Sequence, residues 1–159
     1  MELKQFTDSK DSYLMQAKEV ANKITEGKIN LQVDIAKIKD LDAIIEQIRN
    51  LKMKNLINDD VAWNLSVLYG TVLGEMIIKE HGYHWNLNEE EMPVVETDRN
   101  DQMSPITKIY KILTSEEGDE GSPSSFYNGY QALQKYYYEM SDEEKAKITK
   151  HIGPGNEPV

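Results

Sequence analysis

The sequence contains no cysteine among its 159 residues. A disulfide-stabilised scaffold, a thiolate metal site and a cysteine nucleophile are therefore excluded. Basic residues are also few, with 18 Lys and Arg against 28 Asp and Glu, which gives a formal net charge of −10. Because binding to phosphate backbones requires a basic surface, this balance argues against a nucleic-acid-binding protein. It favours a partner that is itself basic.

The N-terminal residues lack the apolar stretch of a secretory signal, so a cytoplasmic protein is expected. The most apolar segment, residues 61–78, is interrupted by Asn64, Ser66 and Glu75. A charge near the middle of a bilayer costs several kcal/mol, which disfavours a membrane-spanning segment. We therefore expect a helix in the core of a soluble protein and no association with membranes.

Helical periodicity dominates the chain and predicts a mostly helical α+β protein with about six helices. Apolar residues at three- and four-residue spacing between Tyr13 and Ile24 predict the first helix, with Asp8 and Asp11 in its first turn. The apolar side chains of residues 61–78 point to every side of a helix that is predicted to run over 61–81. This helix is predicted to be central, with all of its faces covered by other parts of the domain.

Alternation of apolar and polar residues indicates a small β-sheet. Residues 83–87 and 93–97 alternate in this way and predict an antiparallel β-hairpin. Because proline has no amide hydrogen, either the second strand of this hairpin is an edge strand or Pro93 is its first residue. Residues 29–33 also alternate and suggest a third short strand.

The second half of the chain carries clear boundary signals. Serine followed by proline at 104–105 and at 122–123 predicts the start of two later helices. Between them, residues 114–122 are acidic and contain glycine, which predicts a mobile loop. No break in composition divides the chain, so residues 1–152 are expected to form one domain. Residues 153–159 have no apolar pattern and are predicted to be a flexible tail.

Gly70 and Gly74 lie four residues apart in the predicted central helix and so share one face. Each glycine costs the helix about 1 kcal/mol relative to alanine, and two explanations can account for them. Either the hairpin or another helix packs closely against this strip, or the strip lines a shallow groove. In the second case Glu75 is the candidate catalytic group, because a carboxylate in an apolar helix must be paired, hydrogen-bonded or at the surface.

His81 and His84 are the candidate metal ligands, with Glu75 and Glu80 nearby in the sequence. A helical pair of ligands requires a spacing of four residues, whereas these histidines are three apart and Gly82 separates them. We therefore predict no metal site. The simpler expectation is that His81 interacts with the C-terminal dipole of the central helix and that His84 faces solvent.

Tyrosines are concentrated in the helix that follows residue 122. Tyr130 and Tyr137 belong to its apolar stripe, whereas Tyr127, Tyr136 and Tyr138 point elsewhere. Because tyrosine is enriched in interfaces, these three side chains, together with Trp85 of the hairpin, are the candidate binding residues. The alternative is that the tyrosines pack against the first helix or the acidic loop.

The segment from residue 44 to residue 113 resembles a group of small bacterial domains of unknown function. Those domains combine a glycine-bearing helix, a tryptophan-bearing strand, a second strand and a helix opened by proline. The residues that carry the resemblance are Leu73-Gly74-Glu75, Gly82, Trp85, Pro93-Val94, Pro105, Ile106, Lys108 and Ile109. The resemblance implies a bacterial, cytoplasmic α+β protein and brings no established activity.

These observations favour a non-enzymatic module that binds a basic protein through its acidic surface. An inhibitor of the immunity type, directed against a basic toxin, is one concrete form of that function. The alternative from a different class is a small hydrolase or ligand-binding protein that uses a groove near Gly70, Gly74 and Glu75. No nucleotide-binding or serine-hydrolase motif is present, and no cofactor is expected. The sequence does not specify an oligomeric state.

Overall fold

The computed structural model describes residues 2–144 and 146, and these form a mostly helical α+β domain. Within the described residues, five longer α-helices and one turn of 3-10 helix (Ile35–Lys37) pack with a small three-stranded sheet, and a further helical turn lies at residues 142–144. The helices are α1 (Leu3–Ile24), α2 (Ile38–Met53), α3 (Asp59–His81), α4 (Pro105–Thr114) and α5 (Pro123–Glu139). The strands are β1 (His84–Leu87), β2 (Pro93–Glu96) and β3 (Gln102–Met103). The predicted fold class is confirmed.

Helix α3 is central, and local signals set its ends. The side chain of Asn58 accepts a hydrogen bond from the Val61 amide (2.9 Å), and Asp59 and Asp60 lie in the positive first turn. Gly82 ends the helix in a left-handed conformation (φ +73°). All residues from 69 to 77 are buried, so this stretch of the helix is covered on every side, whereas Lys79 and Glu80 near its C-terminus are exposed. The N-terminal half is covered only in part, because Val61 and Asn64 are exposed.

The same helix is long and apolar enough to span a membrane, but 61% of its most apolar 18-residue window is buried within the protein. That is the behaviour of a core helix in a soluble protein.

Helices α1 and α4 both run antiparallel to α3. On one side, Tyr69 donates a hydrogen bond to the carbonyl of Ala17 (2.8 Å), while Glu75, further along α3, pairs with an earlier residue of α1, Lys10. On the other side, Ile106 at the start of α4 lies against Gly70, and Tyr110, further along α4, packs on Trp63 near the N-terminus of α3 (ring centroids 5.3 Å apart).

Helix α1 begins earlier than the sequence pattern predicts. It starts at Leu3, so its first turn contains no acidic residue and Asp8 lies well inside the helix. A reciprocal pair of hydrogen bonds between Glu2 and Gln5 caps this end, and Phe6 in the added turns is buried against Trp85 (ring centroids 4.7 Å apart). The burial of one aromatic side chain therefore extends the helix beyond its regular apolar stripe.

The predicted hairpin is present, and the third strand is elsewhere than expected. Strand β2 lies between β1 and β3, and all pairs are antiparallel, with Trp85 opposite Val95 and Val95 opposite Met103. Pro93 is the first residue of the central strand, as expected for a residue without an amide hydrogen. The prediction of a strand at residues 29–33 is wrong, since this segment forms no ladder.

The two serine–proline helix starts are confirmed at α4 and α5. Ser122 also forms a capping box with Ser125, which satisfies the first amides of α5. The predicted tail at residues 153–159 lies outside the described residues.

Candidate functional site

The strip formed by Gly70 and Gly74 is filled by neighbouring parts of the domain. A β-carbon at residue 70 would overlap the backbone of Ile106, and one at residue 74 would overlap the indole ring of Trp85. The glycines therefore allow α4 and the sheet to approach the backbone of α3. Close packing explains the strip, and the alternative of an open groove at these two positions is wrong.

Glu75 is buried beside this strip, with 8% of its surface exposed. Its carboxylate Oε1 lies 2.6 Å from Nζ of Lys10 on α1. Lys10 retains 30% exposure of its side chain, so the pair lies at the edge of the core. The arrangement satisfies the buried charge and joins α1 to α3, which is the behaviour of a structural ion pair.

The two histidines have different partners. Nε2 of His84 lies 2.9 Å from Oε2 of Glu96 on the neighbouring strand, at the outer surface of the sheet. Glu96 also accepts hydrogen bonds from Asn86 (3.1 Å) and Gln102 (3.3 Å). The hydrogen bond from Asn86 is the main cause that lowers the pKa of Glu96; burial opposes it, and His84 and Gln102 support it. The two outer strands thus direct side chains at one carboxylate of the central strand.

His81 lies at the C-terminus of α3 and contacts two tyrosines. Its ring stacks on Tyr83 (centroids 5.0 Å apart, planes 15° apart), and its Nε2 is 2.7 Å from the hydroxyl of Tyr127. Burial, with contributions from Glu80 and Tyr83, raises the pKa of Tyr127. The hydroxyl of Tyr127 and Nε2 of His81 share one hydrogen bond, whose direction depends on the imidazole tautomer. The contact attaches α5 to the end of α3.

The candidate binding residues are distributed over different environments. Tyr127 is half-buried against His81, whereas Tyr136 is 59% exposed. Trp85 is 7% exposed and belongs to the core, so it offers no surface for a partner. The side chain of Tyr138 lies outside the described part of the protein. Across that part, no group of three or more His, Asp and Glu side chains is arranged to hold a metal ion.

Residues 115–121, which we call the acidic loop, are held more firmly than their composition predicts. At its start, Arg49 of α2 donates from Nη2 to the carbonyl of Ser115 (2.9 Å). Within it, the Ser115 hydroxyl donates to Asp119 (2.9 Å) and accepts from the Gly118 amide (3.1 Å). Near its end, Glu120 pairs with Lys108 of α4 (3.2 Å).

The helix that follows the acidic loop is also fixed to α2. Ser124, in the first turn of α5, donates its amide to Oδ1 of Asp42 (2.9 Å) and its hydroxyl to Oδ2 of the same carboxylate. Asp42 therefore neutralises the positive end of α5 from a neighbouring helix. The acidic loop is anchored at both ends, and its sequence composition alone, which predicted mobility, gave no sign of these distant partners.

Comparison with protein-family models, with curated proteins and with solved structures finds no match for this chain. Its function has therefore to be inferred from the arrangement of its own residues.

Proposed function

We propose that the protein is a non-enzymatic interaction module that binds a basic protein partner through the acidic loop. The observation that carries the proposal is an exposed set of carboxylates on a segment whose backbone is fixed. Glu116, Glu117 and Asp119 are all exposed. Glu116 and Glu117 form no ion pair with any other described residue, so their charge is available to a partner.

The anchoring of the loop favours binding. A segment that is already ordered loses less conformational entropy when a partner docks than a flexible one does. The hydrogen bonds from Arg49 to Ser115 and from Gly118 to Ser115, with the ion pair between Glu120 and Lys108, supply that order. The net charge of −10 adds a long-range attraction that accelerates encounters with a basic protein.

The partner we propose is a basic protein in the bacterial cytoplasm, and an inhibitory role toward a basic toxin is the most specific form of the proposal. Tyr136, exposed on the helix that follows the loop, offers additional aromatic contact area. Size and charge are consistent with this role.

The test is affinity capture from an extract of the native organism, with identification of the recovered protein and calorimetric titration of the purified pair. We expect a basic protein whose affinity falls as salt is raised from low to high concentration. The double variant Glu116→Gln/Glu117→Gln should weaken binding. The matched control Glu89→Gln/Glu90→Gln removes the same charge from the hairpin turn and should leave binding nearly intact.

Two results would contradict the proposal. Binding that does not change with salt would exclude an electrostatic interface. Equal weakening by the loop variant and by the hairpin control would show that net charge acts without the acidic loop.

A further inference from the structure

A row of polar side chains crosses the outer face of the sheet. His84 on β1 is directly paired with Glu96 on β2, and Glu96 is directly paired with Gln102 on β3. Because side chains alternate between the two faces of a strand, this row lies on the face opposite the buried Trp85. Strand pairing therefore gives His84 neighbours that its spacing from His81 along the sequence does not reveal.

Two side chains of this row bring metal-ligating atoms together. Nε2 of His84 lies 2.9 Å from Oε2 of Glu96. Two atoms bound at a right angle to one metal ion, each about 2.0–2.1 Å from it, lie about 2.9 Å apart. The pair therefore already has the spacing of two adjacent ligands, and the strands need not move for an ion to bind both atoms.

The imidazole is open to solvent, whereas the carboxylate is held by the sheet. The side chain of His84 is 62% exposed and its contact with Glu96 lies at the surface, so an ion can approach from solvent. The side chain of Glu96 is only 14% exposed. Its Oε2 accepts a hydrogen bond from Asn86 (3.1 Å) and its Oε1 accepts one from Gln102 (3.3 Å). Hydrogen bonds of this kind orient metal-binding carboxylates and raise their affinity.

Charge and ligand type determine which ion fits. The net charge of −10 attracts cations. Mg²⁺ and Ca²⁺ prefer oxygen ligands alone, whereas an imidazole nitrogen favours transition metals such as nickel, copper and zinc. Among these, Ni²⁺ and Cu²⁺ take the right-angle arrangements that match the spacing of Nε2 and Oε2, whereas zinc prefers wider, tetrahedral angles.

We propose that His84 and Glu96 bind a divalent transition-metal ion of the nickel and copper class through Nε2 and Oε2, with water at the remaining positions. In the metal-free protein Nε2 donates its proton to the carboxylate, because an ionised carboxylate can only accept. When the ion binds, a neutral ring keeps its one proton on Nδ1, and a protonated ring releases the proton from Nε2. The site uses no residue of the acidic loop, so it goes beyond the proposed function.

The test is a titration of the full, isotope-labelled chain with NiCl₂, followed by amide NMR, with MgCl₂ at equal ionic strength as the comparison. Paramagnetic Ni²⁺ broadens the signals of nearby nuclei. We expect saturable broadening of amides in β1, β2 and β3, and no saturable response to Mg²⁺. His84→Gln should abolish this broadening, and Glu96→Gln should raise the apparent Kd for Ni²⁺ at least several-fold.

Two variants are the matched controls. The double variant His81→Gln/His151→Gln leaves His84 as the only histidine of the chain and should keep the Kd unchanged. Glu89→Gln removes one carboxylate from the turn between β1 and β2 and should have little effect, although it changes the net charge as much as Glu96→Gln does.

Four outcomes would overturn the proposal. The absence of saturable broadening would show that the pair binds no such ion. Broadening of the strands that persists in His84→Gln, or is lost in His81→Gln/His151→Gln, would place the ion on another residue. Equal Kd values for Glu96→Gln and Glu89→Gln would remove Glu96 as a ligand. The double histidine variant retains both proposed ligands, so the test does not depend on how well Glu96→Gln folds.

Discussion

The indole ring of Trp85 occupies the space that a side chain at residue 74 would fill. Gly74 thus lets the sheet approach the backbone of α3 directly, and Phe6 of α1 packs edge-on against the same indole (planes 68° apart). Helix α3, the sheet and helix α1 therefore meet at Trp85. The stability of the domain should be sensitive to the size of residue 74.

Gly74→Ala is expected to lower the free energy of unfolding by about 1–3 kcal/mol, because the overlap with Trp85 outweighs the better helix propensity of alanine. Gly129→Ala in α5 is the control, since nothing lies within 4 Å of a β-carbon there. It should raise stability by up to about 1 kcal/mol. Urea unfolding measures both changes, and a Gly74→Ala variant as stable as the original protein would contradict the packing described.

Lys10→Met is expected to cost about 1–3 kcal/mol, because it leaves the buried carboxylate of Glu75 without its partner. The double variant Lys10→Met/Glu75→Met should recover most of this loss, since it removes the unpaired charge as well. Lys4→Met is the control: its pair with Asp8 is exposed and should contribute less than about 1 kcal/mol. Chemical denaturation at neutral pH compares the three variants, and equal effects of Lys10→Met and Lys4→Met would contradict a structural role for the buried pair.

Stability is expected to fall in acid partly through Glu96. The pKa of Glu96 is lower in the folded protein than in the unfolded chain. The ionised carboxylate therefore stabilises the fold fully at pH values above the pKa of an unfolded glutamate, and this stabilisation is lost as the pH falls through the pKa of Glu96 in the folded protein. Carboxyl carbon NMR should show Glu96 titrating below the range of a glutamate in an unfolded peptide. Asn86→Ala should raise the pKa of Glu96 more than Gln102→Ala does, since the hydrogen bond from Asn86 is the largest cause. The reverse order would contradict that assignment.

Tyr127→Phe is expected to cost about 1 kcal/mol, the usual contribution of one partly buried hydrogen bond, because His81 loses its partner. Tyr136→Phe changes an exposed tyrosine of the same helix and should stay within about 0.5 kcal/mol of the original protein. Thermal unfolding distinguishes the two. If Tyr127→Phe is neutral as well, His81 does not attach α5 to α3.

Local patterns predicted the elements that local forces determine. Gly82 at the end of α3 and the serine at residue 122 act within a few residues of themselves, and each does so in the structure. The strand expected at residues 29–33 failed for a physical reason. Its alternation arises because Leu31 is buried while the residues beside it face solvent, and an extended segment packed on helices shows the same pattern as a strand.

Pairings between distant residues could not be predicted. Strand β3 has only two residues, too few for any pattern, and its position depends on pairing with β2. The anchor of the acidic loop joins Arg49 to Ser115, 66 residues apart, and the contact of His81 with Tyr127 spans 46 residues. The sequence predicted either a closely packed neighbour or a groove at Gly70 and Gly74. It could not decide between the two, because the choice depends on which distant segments of the chain pack against α3.

The position of Trp85 makes the protein its own optical reporter. It is one of two tryptophans, and the other, Trp63, is half-buried on Tyr110, away from the sheet. Replacing Trp63 with phenylalanine would leave an indole whose emission wavelength depends on whether the strands are seated on the helices. If the sheet separated from the helices, the emission of Trp85 would shift to the red while the helical circular dichroism signal remained. The order in which the sheet and the helices assemble can therefore be followed in a single refolding experiment.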